Sequence, residues 1–278
     1  MMLINGEFKT VIDATDRGFQ YGDGLFETIA VHNGIPVFFN QHLERLISGC
    51  QKLKIPSPDK QNLINEVRLL CSQVTGSAVL KIIVTRGSGG RGYKQPELIS
   101  VSRVLTLNPY PIYPSSYYSN GINLCICQTQ LGLNPCLAGI KHLNRLEQIM
   151  ARAEWQDTDT QEGLLKNCNG YIIEGTMSNL FFVKNGQLYT SILNQSGVSG
   201  IIRGLVINIA MKNDLPITEK NIDEDELLNA DEIFVCNSII GIWPVKRLNN
   251  RQFKVGEISK KIQSWLQALQ DENCSILF

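Results

Sequence analysis

Two residues of this chain have the type and surroundings that carbonyl chemistry needs. Lys141 lies in Leu137-Ala-Gly-Ile-Lys-His-Leu-Asn-Arg-Leu-Glu147, among apolar residues and a small glycine, just before a helical pattern. A lysine in apolar surroundings gives up its proton more easily and becomes a nucleophilic amine, which attachment to an aldehyde cofactor requires. Glu174 opens Glu174-Gly-Thr-Met-Ser-Asn-Leu-Phe-Phe182, an apolar run that reads as a strand. A fixed carboxylate facing a pyridinium nitrogen is the partner such a cofactor needs.

Other segments could complete a site. Val198-Ser-Gly-Ile-Ile-Arg203 precedes a helical pattern, so Gly200, Ile201 and Ile202 would present backbone N–H groups to an anion such as phosphate. Gly87-Ser-Gly-Gly-Arg-Gly92 matches G-x-G-x-x-G, but Tyr-Lys-Gln-Pro-Glu follows where a dinucleotide site needs a helix. It reads instead as a flexible loop in which Arg86 and Arg91 could clamp a carboxylate. Gln20-Tyr-Gly-Asp-Gly-Leu-Phe-Glu-Thr28 reads as a glycine-rich turn into a strand, and Arg45 as a charge on the first helix.

The elements that must position these residues follow from periodicity. Leu25–His32 and Ile35–Phe39 flank the hairpin signal Asn33-Gly34. Helical spacing predicts helices over Gln41–Leu53, with Asn40 as the cap, and over Pro58–Val74. Ala78–Thr85 and Leu98–Leu107 read as strands. The first α+β unit is therefore expected over 1–107, with the proline-rich stretch 108–116 as a linker and a second domain over 117–278. In that domain we expect strands at 122–128, 162–167, 171–174, 179–184, 187–189 and 232–236. Helices are expected at 143–155, 201–213, 224–229 and 258–270.

Bulk composition excludes several classes. With 26 basic and 26 acidic residues among 278, nothing favours nucleic acid. No uninterrupted apolar segment approaches the roughly 18 residues of a membrane span. The first residues lack the basic and apolar pattern of a secretory signal. The eight cysteines form no C-x-x-C pair and the three histidines lack metal spacing, so a cytoplasmic protein with free thiols and no metal is expected.

Together these pieces resemble the fold-type IV pyridoxal-phosphate enzymes, which include branched-chain aminotransferases, D-amino-acid aminotransferases and aminodeoxychorismate lyases. The family's signature begins at a glutamate, passes through Asn-apolar-aromatic and a strand ending in threonine, and finishes at Gly-apolar-x-basic. Here it reads Glu174 through Asn179-Leu-Phe181 and Thr190 to Gly200-Ile-Ile-Arg203 without a departure. The loops Leu80–Tyr93 and Leu131–Gln148 are similar to those of the lyase branch. The resemblance implies a small N-terminal α/β domain and a larger C-terminal pseudo-barrel, pyridoxal 5'-phosphate between them, and a homodimer. It implies Lys141 as the Schiff-base lysine, Glu174 at the pyridine nitrogen, and Arg45, Gly200, Ile201 and Ile202 at the phosphate. Asn237-Ser238 would form a second phosphate-side turn, Ser178 and Asn179 would pack beside the cofactor, and Phe26 and Thr28 would line the substrate side, Thr28 with a catalytic part. The implied reaction is the folate-pathway conversion of 4-amino-4-deoxychorismate to 4-aminobenzoate and pyruvate. The alternative is transamination of D-alanine or a branched-chain amino acid.

Overall fold

Alternating apolar residues build one antiparallel sheet in the first of two units. The structure, a computed structural model, describes residues 1–275. The first unit comprises Met1–Pro111, Ile140–Asn144 and the chain from Gln270; the second comprises Ile112–Gly139 and Arg145–Leu269. The five residues carrying Lys141 thus belong with the first unit, although they follow the stretch read as a linker.

In the first unit the elements are β1 (Met2–Ile4), β2 (Glu7–Phe8), α1 (Arg17–Tyr21), β3 (Gly24–His32), β4 (Ile35–Pro36), α2 (Phe39–Lys52), α3 (Lys60–Cys71), β5 (Ser77–Thr85) and β6 (Ser102–Pro109). The sheet order is β2-β1-β6-β5-β3-β4, with every neighbour antiparallel. Such all-antiparallel pairing makes the unit α+β. Leu25, Ile29 and Val31 of β3 and Leu80, Ile82 and Val84 of β5 meet Leu43 and Leu46 of α2 and Leu63 and Val67 of α3 in one core. Burying each such side chain stabilises the fold by about 1.5–3 kcal/mol. Strand alternation then puts Phe26, Thr28 and Lys81 on the opposite face.

Two element boundaries depart from expectation for identifiable reasons. Asn40 is not a cap: α2 starts at Phe39, after Phe38 at φ 53° with no side-chain cap. Burial of both phenylalanines, rather than a capping hydrogen bond, sets the helix entry. The helix expected over 143–155 is α5 (Leu146–Arg152). Residues 141–143 are extended instead, because Phe26 N donates to Lys141 O at 3.0 Å and Leu143 N to Gly24 O at 3.0 Å. Asn33 and Gly34, at φ 48° and 85°, form the expected hairpin turn.

The second unit holds α4 (Ser116–Ser119), β7 (Ile122–Leu131), α5, β8 (Glu162–Asn167), β9 (Ile172–Gly175), β10 (Asn179–Lys184), β11 (Gln187–Ser191) and α6 (Ile201–Lys212). It continues with β12 (Ile217–Lys220), α7 (Glu224–Leu228), β13 (Glu232–Asn237), β14 (Gly241–Leu248), β15 (Arg251–Gln252) and the part of α8 (Glu257–Ser275) up to Leu269. The strands run β10-β13-β14-β7-β8-β9, and β9 pairs back onto β10 through Glu174 and Asn179, closing a six-stranded ring. Closure leaves no free edge within the ring, and β11 and β12 continue the sheet outward from β10. It also brings Glu174 opposite Asn179 at the seam, with Leu124, Leu164, Phe182, Val235 and Trp243 in the core. Among the described residues no helix is long and apolar enough to cross a membrane, and no cluster of side chains could hold a metal ion.

Candidate active site

In the first unit, Lys141 Nζ lies over the Phe26 ring, 4.2 Å from its centroid. Phe26 and Thr28 share the sheet face turned away from the helices, as i and i+2 residues of a strand must. Glu27, between them, points to the core and is 1% exposed. Burial of a lone carboxylate is costly, and two residues from one face of α2 answer it. Arg45 donates from Nε to Glu27 Oε1 at 2.8 Å and from a terminal nitrogen to Oε2 at 2.5 Å. His42 Nδ1 lies 2.6 Å from the same Oε2. Burial pushes the Glu27 carboxyl up, but the Arg45 and His42 partners outweigh it and bring it to about 2. Burial pushes His42 down against the pull of Glu27, with the positive charges of Arg45 and Lys141 adding to the effect. His42 is therefore a neutral donor at Nδ1, because an ionised carboxylate only accepts. Its buried Nε2 has no hydrogen-bond partner among the described residues. Arg45 is thus held in a fixed pose by Glu27 and is not a surface charge. Alternation of β3 and the i,i+3 spacing of His42 and Arg45 were signals that could have found Glu27 and His42.

In the second unit, Glu174 is 4% exposed. It accepts from Val198 N at 2.7 Å and from Gln148 Nε2 at 3.3 Å, with the Arg145 charge in its field. The loop carrying Val198 is clamped: Gly139 N donates to Gly197 O at 2.9 Å, and Ser199 N to Gly139 O at 3.1 Å. Asn179 Nδ2 donates to Val198 O at 2.9 Å. Gly200 then caps α6 without a side-chain hydrogen bond, and Ile201 and Ile202 begin the helix. A Cβ on Gly200 would overlap Asn179 Oδ1, so only glycine fits there. An N-terminus without a capping side chain or an acid in its first turn suits an anion.

Ser178 and Asn237 have structural commitments. Ser178 Oγ donates to Glu162 Oε2 at 2.8 Å. Buried Glu162 also accepts from Gly163 N, Met177 N and both the N–H and the hydroxyl of Thr176, so it fixes the turn before β10. Asn237 Nδ2 donates to Met177 O at 3.0 Å, while its Oδ1 accepts from Ile239 N and Ile240 N and shapes the turn that contains Ser238. Glu162 had no local sequence signal, since its partners lie up to 16 residues away.

Arg86 is engaged within the first unit. Its guanidinium is buried and bidentate to Asp23, at 2.8 and 3.0 Å, and it also donates to the carbonyls of Leu53 and Lys54. Arg17, from α1, donates to the same Asp23 Oδ2 at 2.9 Å and to Gly92 O at 2.9 Å. Four of its five N–H donors are spent in these bonds, and it anchors the glycine-rich loop. Arg91 is exposed on that loop, with no ion pair among the described residues. Gly87 sits at φ 84°, where a Cβ would overlap the Ser100 carbonyl, so the glycines serve the loop's own path.

The first unit carries an amine at Lys141 and an arginine at Arg45, and the second an acid at Glu174 and a helix start at Gly200 without a side-chain cap, the kinds of group that a phosphorylated pyridoxal needs. Residues 24–248 match the amino-transferase class IV family. The chain belongs to that family. It is 33% identical over 267 residues to an aminodeoxychorismate lyase from Vibrio harveyi, covering 95% of this chain and 98% of that one. It is 28% identical over 278 residues to a D-alanine aminotransferase from Bacillus licheniformis, covering 96% and 95%. Among solved structures it is similar to 4-amino-4-deoxychorismate lyase from Pseudomonas aeruginosa, with a TM-score of 0.93 and 41% identity over 96% of this chain and 98% of that one. The antiparallel first unit and closed strand ring of the second are the fold-type IV architecture of this family.

Proposed function

We propose that this chain is a pyridoxal-phosphate-dependent lyase that converts 4-amino-4-deoxychorismate to 4-aminobenzoate and pyruvate. The observation that carries the reading is near full-length likeness to two aminodeoxychorismate lyases, 33% and 41% identical. When bound, pyridoxal phosphate supplies an aldehyde that takes up an amine and a ring that accepts an electron pair. Lys141 Nζ holds that aldehyde at rest. With the cofactor bound and the substrate in place, the free Lys141 amine would be the base that takes the proton from the ring carbon bearing nitrogen. Glu174 keeps a proton on the pyridine nitrogen. The first N–H groups of α6 at Ile201 and Ile202, opened by Gly200, and the Arg45 guanidinium bind the phosphate. Ser178, Asn179, Asn237 and Ser238 shape the phosphate side, acting through Glu162, Val198 and Met177. Phe26 and Thr28 line the substrate side. Departure of the three-carbon ether leaves an aromatic ring, which drives the reaction forward.

We place this enzyme in the cytoplasm as a homodimer. Free thiols suit a reducing compartment, and an exposed apolar stripe on α5, Leu146, Ile149 and Met150, suits a subunit contact. The test is an assay of protein supplied with pyridoxal phosphate and enzymatically generated aminodeoxychorismate. Equal yields of 4-aminobenzoate and pyruvate are expected, and Lys141→Ala should lower them by about a thousandfold or more. Conversion of D-alanine or a branched-chain amino acid to its keto acid, with no 4-aminobenzoate, would move the chain to the aminotransferase branch.

A further inference from the structure

A cleft of about 70 Å³ lies wholly within the second unit, between the β8–β9 hairpin and the stretch that follows β11. One water needs roughly 10–15 Å³ of such space, so the cleft has room for about five to seven heavy atoms. Two of its lining residues are buried and carry polar groups that the protein does not answer. Asn167 is 4% exposed; its Oδ1 accepts from Asn169 N at 3.0 Å and from Tyr171 N at 3.1 Å, while its Nδ2 is bonded to no described residue. Ser196 is 7% exposed, and its buried Oγ has no hydrogen-bond partner among the described residues. Buried polar groups are costly until something pairs with them.

The rest of the lining sets the chemistry of that partner. Ile173, Ile192 and half-buried Tyr171 add apolar surface, and exposed asparagine and glutamine side chains complete the rim. No lining residue carries a charge. An ion would leave water here without a counter-charge, so the lining suits a neutral ligand. Water alone matches it poorly, because a buried water needs about two to four polar partners and the isoleucines offer none. Hydroxyls on a short carbon chain meet both kinds of surface, since each hydroxyl donates and accepts, as the rim amides do.

We propose that this cleft binds a small neutral polyol of the size of glycerol, with Asn167 Nδ2 donating to one hydroxyl and Ser196 Oγ bonding to another. The cleft is joined to the active-site acid through the chain. Gln195 O accepts from Asn134 N at 2.7 Å, and two residues beyond Ser196 the N–H of Val198 donates to Glu174 at 2.7 Å. Filling the cleft steadies the stretch that delivers this N–H, so binding there is felt at Glu174.

The experiment titrates the full-length, cofactor-loaded protein with glycerol and, in parallel, with ethylene glycol dimethyl ether, which has as many heavy atoms but no hydroxyl to donate. Backbone amide shifts are followed by NMR. Glycerol should give saturable shifts at Asn169, Ser196 and Val198, and the ether should give none. Ser196→Ala should weaken glycerol by roughly three- to tenfold, as loss of one neutral hydrogen bond does. Ser196→Leu, which fills the cleft, should abolish saturation; if that variant does not fold, Ser196→Ala and the ether comparison decide the matter. Shifts that grow linearly with glycerol across the surface, that the ether reproduces, or that keep their midpoint in Ser196→Ala would overturn the proposal. No readout here depends on turnover, so the outcome is separate from that of the lyase assay.

Discussion

The two units handle buried carboxylates in different ways. In the first, buried Glu27 and half-buried Asp23 are neutralised by arginines: Arg45 forks onto Glu27, while Arg17 and Arg86 both donate to Asp23. In the second, Glu162 is held by four N–H and O–H partners from a single turn together with its neighbour's N–H, and Glu174 takes hydrogen bonds from Val198 N and Gln148. A carboxylate paired with an arginine anchors geometry, because its charge is spent within the pair. One solvated by neutral donors is fixed in place while its negative charge is still felt by a cation nearby. The first unit thus uses acids to aim arginines, and the second uses them to supply a field.

Substitutions that remove charge but keep shape should separate these roles. Glu174→Gln still accepts from Val198 N but loses the field, so kcat should fall about a hundredfold or more with little change in the urea midpoint. A variant with near-normal kcat would break the contrast. Glu27→Gln should destabilise the protein by about 3 kcal/mol, as loss of one partner from a buried ion pair does. Urea unfolding would reveal it, and an unchanged midpoint would mean that the pair contributes nothing.

The pH dependence of stability sharpens the comparison. Glu27 falls from its ordinary 4.5 to about 2 in the fold. Its contribution is therefore complete above pH 4.5 and is lost as pH drops toward 2. His42 is held below its ordinary 6.5, so the unfolded chain takes up a proton there first, and stability begins to fall as pH drops below 6.5. Unfolding free energy measured from pH 7 to 3 should decline throughout, and Glu27→Gln should flatten its acid limb. The smallest effect concerns thiols in both units. Burial pushes Cys50 up to about 11 and Cys71 and Cys236 up to about 12, while Cys136 and Cys168 are exposed. A chromogenic disulfide should label the exposed pair in native protein and reach Cys50, Cys71, Cys236 and the equally buried Cys127 only on unfolding. Early labelling of Cys50 or Cys236 would show that its unit opens locally.

Local pattern made much of this molecule legible. Asn33-Gly34 gives its hairpin because both positions accept positive φ, and Gly200 precedes α6 because no larger residue fits beside Asn179. The fold and its barrel-like second domain followed from resemblance rather than from periodicity, which cannot say that β9 pairs back onto β10. Strand pairing with Gly24 and Phe26 shortened the helix expected after Lys141, a contact more than a hundred residues away in sequence that no window could see. The domain limits shifted for the same reason, since the segment around Lys141 is a strand partner of β3.

The sequence by itself determined the kinds of groups available: an amine in an apolar run, an acid opening a strand, and a glycine before a helix. These are local properties, set by neighbouring side chains and backbone freedom. Only the tertiary structure decided which charges are already taken. Arg86 and Arg91 read alike in a glycine-rich loop, yet one is locked onto Asp23, 63 residues away, while the other is exposed. Lys81 reads as one charge in an apolar strand, and sheet pairing places it opposite Thr28 and beside Phe26. A charge's partner depends on the fold's long-range register, so a charge can be read from sequence and its availability cannot.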